Sequence, residues 1–72
     1  MDEKKILRMN LLGGMNSYIR DYINEDAQEE WLTYGVPDEA DEETIAEIAD
    51  DDEQFVEIAH LFGKLIWEHA ED

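Results

Sequence analysis

The chain has 72 residues, 21 of them Asp or Glu against 5 Lys or Arg, a formal charge of -16, and no cysteine. That length supports one domain. The charge opposes direct binding to a nucleic-acid backbone, which is driven by cations neutralising phosphates, and the lack of cysteine removes disulfides, thiolate metal sites and a cysteine nucleophile. An apolar content of 43%, including seven Ile, six Leu and seven aromatic residues, takes the chain out of the disordered class despite its acidity.

Apolar residues recur at threes and fours, with no strict alternation and no Asn-Gly or Asp-Gly turn, which predicts an all-α fold, a bundle of four to five short helices. A first helix is expected from about Glu3 to Leu12, with Gly13-Gly14 as its stop. Arg8 and Asn10 interrupt its apolar residues, so it reads neither as a signal peptide nor as a membrane span, and a cytoplasmic protein is expected. Residues 1–20 carry a net +2 and the other 52 residues -18, with Lys64 as their only cation. The start of the chain therefore reads as a short basic helix leaning on an acidic body, and residues 1–14 as either integral or separable from a single domain spanning 1–72.

Met15, Tyr18, Ile19, Tyr22, Ile23, Ala27 and Trp31 then step by threes and fours, while Asp21, Glu25 and Glu29 form a stripe at i, i+4, i+8. This is an amphipathic helix with an acidic outer face. A break near Asn24 to Asp26, with Asp26 and Glu29 as a capping pair, would make it two helices; the spacing allows both. Gly35 in the C′ position and Pro37 end it. Asp41 is the expected N-cap of a short helix through Ile45, Ile48 and Ala49, with Glu42 and Glu43 in its first turn. Asp51-x-x-Gln54 has capping-box form and opens a last helix running to about His69.

The stretch Trp31-Leu32-Thr33-Tyr34-Gly35-Val36-Pro37-Asp38, followed by an acidic short helix and a Phe-containing last helix, resembles small acidic proteins encoded by Gram-positive bacteria and their mobile elements. The resemblance covers roughly residues 15–66 and implies a bacterial origin, with no activity to carry onto particular residues.

The densest chemistry is the run Asp38, Glu39, Asp41, Glu42, Glu43, Glu47, Asp50, Asp51, Asp52 and Glu53, ten carboxylates in sixteen positions with no base among them. As helix, with a rise of about 1.5 Å per residue, this is one charge per about 2.4 Å, comparable with one per ~1.7 Å of duplex axis. Such a surface can imitate DNA and occupy the basic cleft of a nuclease, repressor or polymerase; it can equally be a solvated face serving solubility and capping. The interior Gly and alternating ligands of a calcium-binding EF-hand loop are missing. Glu57-Ile58-Ala59-His60 has the Glu-x-x-His form of di-iron bundles, but in one copy, and His60 and His69 project about 180° apart. No metal and no cofactor is therefore expected.

On the last helix, Phe55, Ile58, Ala59, Phe62, Leu65, Ile66, His69 and Ala70 share the core face. Val56, His60, Gly63 and Trp67 form a second stripe about a third of a turn away. Either the N-terminal helix covers that stripe, or it is an exposed patch anchored by Trp67 that docks a partner or a second copy. With one Ser, two Thr, no Cys and too little depth for a water-excluding cleft, catalysis is not expected. Two functions remain: a DNA-like acidic surface, joining Asp21, Glu25 and Glu29 to the run from Asp38 to Glu53, that modulates a basic nucleic-acid-binding protein; or an adaptor or homo-oligomerising module working through the apolar stripe, with acidity serving solubility.

Overall fold

A computed structural model describes residues 2–34, 36 and 42–69. It is all-α: the described residues form four helices and no strand, in the order α1 (Glu3–Tyr22), α2 (Glu25–Tyr34), α3 (Glu42–Asp50) and α4 (Asp52–His69). Helices α1 and α4 form the centre, each packing against the other three elements, while the backbones of α2 and α3 make no close approach to one another among the described residues.

Helix α1 starts where expected, with the Asp2 carboxylate accepting from the Lys4 N–H at 3.0 Å. It does not stop at Gly13-Gly14. The helix runs on for 20 residues, and neither glycine takes a positive φ. Each glycine costs about 1 kcal/mol in a helix interior, but Leu12 and Ile19 on either side are both fully buried, and that burial outweighs the cost. Residues 3–14 are thus the first part of a continuous helix whose Leu12 is core.

The break between α1 and α2 falls at Ile23-Asn24, which settles the choice between one helix and two. The N-cap is Asn24 instead of Asp26: its Oδ1 accepts from the Ala27 N–H at 2.9 Å. Ile23 is extended, at φ -110° and ψ 150°. Gln28 reaches back from α2 and donates through Nε2 to the carbonyls of Ile23 (2.6 Å) and Arg20 (3.0 Å), satisfying acceptors that the end of α1 leaves open. The expected stop at Gly35 and Pro37 and the N-cap at Asp41 lie outside the described residues.

Between α3 and α4 stands a single residue. The Asp51 N–H still bonds back to Glu47 and Ile48, while its Oδ1 accepts from the Gln54 N–H at 3.0 Å, opening α4 as Asp51-x-x-Gln54 suggested. The core comprises Leu12, Ile19, Ile23, Ala27, Trp31, Val36, Ile48, Ala49, Ile58 and Leu65. Trp31 is its largest member, with its indole N–H donating to Asn16 Oδ1 at 2.9 Å and its ring meeting Phe62 edge-on at 5.9 Å.

Candidate functional site

On α3 the apolar residues Ile45, Ile48 and Ala49 turn inward. Glu43, Glu47 and Asp50 therefore fall together on the opposite face, since they lie within about 60° at 100° per residue. All three are exposed, as are Glu42, Asp51, Asp52 and Glu53. Asp50 to Glu53 are four successive carboxylates crossing the joint between two helices. Carboxylates in the first turns of α3 and α4 face the positive ends of those helix dipoles, which favours them there. Asp38, Glu39 and Asp41 lie outside the described residues.

The joint has one cationic clamp. Arg8 of α1 donates through Nη1 to the Ala49 carbonyl at 3.1 Å, forms an ion pair with Asp52, and lies with its guanidinium carbon 5.0 Å from the Phe55 ring centre. The side chain is 15% exposed while that of Asp52 is 72% exposed. Arg8 thus supplies positive charge to the C-terminal end of α3, which has no basic residue in its own last turn. The Arg8 hydrogen bond first, then the charges of Arg8 and Lys4, hold the Asp52 carboxyl below its ordinary range. The basic start of the chain does lean on the acidic part, through this residue.

Asp21, Glu25 and Glu29 are exposed too, but they belong to the α1–α2 corner. Glu25 and Glu29 stand on α2, whose backbone makes no close approach to α3 among the described residues, so no direct pairing of α2 with α3 joins them to the α3–α4 run. The chain carries its acids as two sets on separate elements. Its most concentrated described set is the one from Glu42 to Glu53.

The second stripe of α4 is open. Val56 is 51% and Trp67 89% exposed; His60 and Gly63 are exposed as well. The N-terminal helix does not cover it, because α1 reaches α4 through the Phe55 and Phe62 side of the helix. Gly63 has no close neighbour, and a Cβ built there meets nothing within 4 Å, so no backbone of this chain requires glycine at that position. A shallow depression lined by Asp52, Glu53, Val56 and Glu57 joins the N-terminal end of this stripe to the acidic run. Apolar contact and negative charge therefore share one end of α4.

A further apolar face escaped the sequence reading. Tyr22, expected inside with Ile19 and Ile23, is 70% exposed, and Tyr18 stands at the edge of the core, 37% exposed with its ring meeting Phe62 edge-on at 5.8 Å. Leu7 and Leu11 join them at 60% and 48%. The signal was present in the numbering, since these four positions fall within about 60° on one helix at 100° per residue. It becomes readable only once Gly13-Gly14 is known to continue that helix.

His60 stands exposed and His69 is half-buried, 3.9 Å from the Glu68 carboxylate. Among the described residues no group of three or more His, Cys, Asp and Glu is placed to hold a metal ion, and no described helix is long and apolar enough to cross a membrane. The chain matches no protein-family model, no curated protein and no solved structure.

Proposed function

We propose that this is a non-enzymatic cytoplasmic binding protein whose α3–α4 carboxylates engage the cationic cleft of a nucleic-acid-binding protein, presenting to it a DNA-like surface. The observation that carries the reading is the exposed set Glu43, Glu47, Asp50, Asp51, Asp52 and Glu53, concentrated on the outer face of one helix and the first turn of the next. Two of the six are held by structure, Asp51 as a helix cap and Asp52 by Arg8. An exposed carboxylate surface of this density draws an oppositely charged partner quickly, with steep salt dependence.

The test is capture of proteins from a nuclease-treated bacterial lysate on the immobilised chain, eluted by a salt gradient, beside the triple variant Glu43→Gln, Glu47→Gln, Asp50→Asn. That variant spares both carboxylates with structural bonds. A basic nucleic-acid-binding protein that leaves at moderate salt, and that the triple variant fails to retain, supports the reading. If the triple variant retains the same protein, the reading is wrong.

A second reading rests on Trp67, whose ring is almost wholly exposed. Here the stripe Val56, His60, Gly63 and Trp67 docks a partner by apolar contact. Its binding survives high salt and is lost with Trp67→Ala, a change that leaves folding intact because the ring touches so little of this chain.

A further inference from the structure

The eleven residues from Met9 to Ile19 carry no charge, although the chain as a whole has a charged residue at 36% of its positions. This is the longest such run in the sequence, and it lies in the middle of α1. Two molecules of charge -16 repel over most of their surfaces, and here they can touch with the least repulsion. The exposed face of α1 is also apolar, through Leu7, Leu11, Tyr18 and Tyr22.

Those four residues have an internal symmetry. Leu11 and Tyr18 are equally far along the chain from the Gly14–Met15 peptide, and so are Leu7 and Tyr22. At 100° per residue the direction midway between Gly14 and Met15 coincides with the centre of the arc the four occupy. A two-fold axis through that point lays Leu7 on Tyr22 of a second copy and Leu11 on Tyr18. Gly14 sits beside the axis with nothing within 4 Å of where its Cβ would be, so two backbones can approach closely there. In the same orientation Lys4 and Lys5 of one copy, with Asp2 and Glu3 beside them, come to the end that holds Arg20, Asp21 and Glu25 in the other, so charges of both signs meet there.

We infer that the exposed face of α1 is a self-association surface, on which a second copy of this chain packs antiparallel about a two-fold axis at Gly14–Met15. Such an interface is isologous, each patch meeting its own copy. It does not rest on the acidic-surface reading, and either can fail alone.

Sedimentation equilibrium of the full chain in about 0.15 M NaCl, at concentrations up to about 1 mM, tests it. The expected result is a mass rising from 8.4 kDa towards twice that value, with a melting temperature that rises with concentration. Gly14→Glu is expected to stay monomeric throughout. Its melting temperature in dilute solution is expected to equal or exceed that of the wild type, because Glu is the better helix former, which separates lost association from lost folding. The chain has no native cysteine, so a mixture of Leu7→Cys and Tyr22→Cys proteins should form a thiol cross-link between the two variants that neither forms with itself. A monomer across the whole range, a dimer unaffected by Gly14→Glu, or a cross-link from Leu7→Cys alone overturns the inference. So does a dimer abolished only by Trp67→Ala, which would place the contact on α4. A monomeric wild type whose Leu11→Glu variant loses a protein captured from lysate would assign the α1 face to that protein instead.

Discussion

At Arg8 one planar guanidinium meets a helix-end carbonyl, a carboxylate and an aromatic face at once. Arg8→Ala removes a charge-assisted hydrogen bond and a cation–π contact, and is expected to cost about 2 kcal/mol in urea unfolding. Arg8→Lys should recover only part of this, since an ammonium cannot span those partners in one plane. The same pairing sets a pH dependence. Asp52 has a folded-state pKa below its ordinary value of 3.8, so its stabilising effect is in place above that value and is lost as the pH falls through the lower, folded one. Asp52→Asn is accordingly expected to be less stable than wild type at neutral pH, with the two urea midpoints converging in acid, below the ordinary carboxyl value of 3.8. A gap that persisted in acid would mean the carboxylate acts through shape and not charge.

At the scale of the helices, α1 is held together by packing against its own local preferences, and that makes two changes predictable. Gly13→Ala meets no neighbour and should raise stability by about 0.5–1 kcal/mol, read as a higher urea midpoint. Removal of everything before Met15 deletes fully buried Leu12 together with Arg8. Emptying a core leucine site alone costs about 2–5 kcal/mol, against a total on the order of 5–10 kcal/mol for a small domain, so the shortened chain is expected to lose its cooperative melt in circular dichroism. What could be read beforehand follows the same division. A helix start fixed by a side chain that satisfies a backbone group was legible in the Asp51-x-x-Gln54 opening of α4, while the Asp2 cap before Glu3 came only with the structure. The end at Ile23 was not, because Asn24 and Asp26 are equally good caps, and the reach of Gln28 to the α1 carbonyls distinguishes them. Tyr18 and Tyr22 share their spacing with Ile19 and Ile23, so periodicity alone could not say which pair faced inward. For the acidic set, the residues were readable but their grouping was not, since grouping depends on which helices pack together.

Across the whole molecule, 21 acids against 5 bases make self-repulsion the dominant electrostatic term. Raising NaCl from about 0.05 to 0.5 M is expected to raise the melting temperature, because screening weakens repulsion among exposed carboxylates more than it weakens the sheltered Arg8 contacts. A melting temperature that fell with salt, followed by circular dichroism, would show ion pairs outweighing repulsion. Of the two functional readings only the acidic one makes binding steeply salt-dependent, so stability and binding need to be compared at matched ionic strength.

Helices α2 and α3 each rest on the central pair with no close approach of their backbones to one another among the described residues, and this has an energetic consequence. Substitutions confined to their outer faces lack shared contacts and should add independently, with no coupling between them. Both helices still feed one core, through Trp31 and through Ile48, so only the fraying of their exposed ends is local to each. A protein that grips the outer face of α3 is accordingly expected to leave the fraying of the α2 ends unchanged.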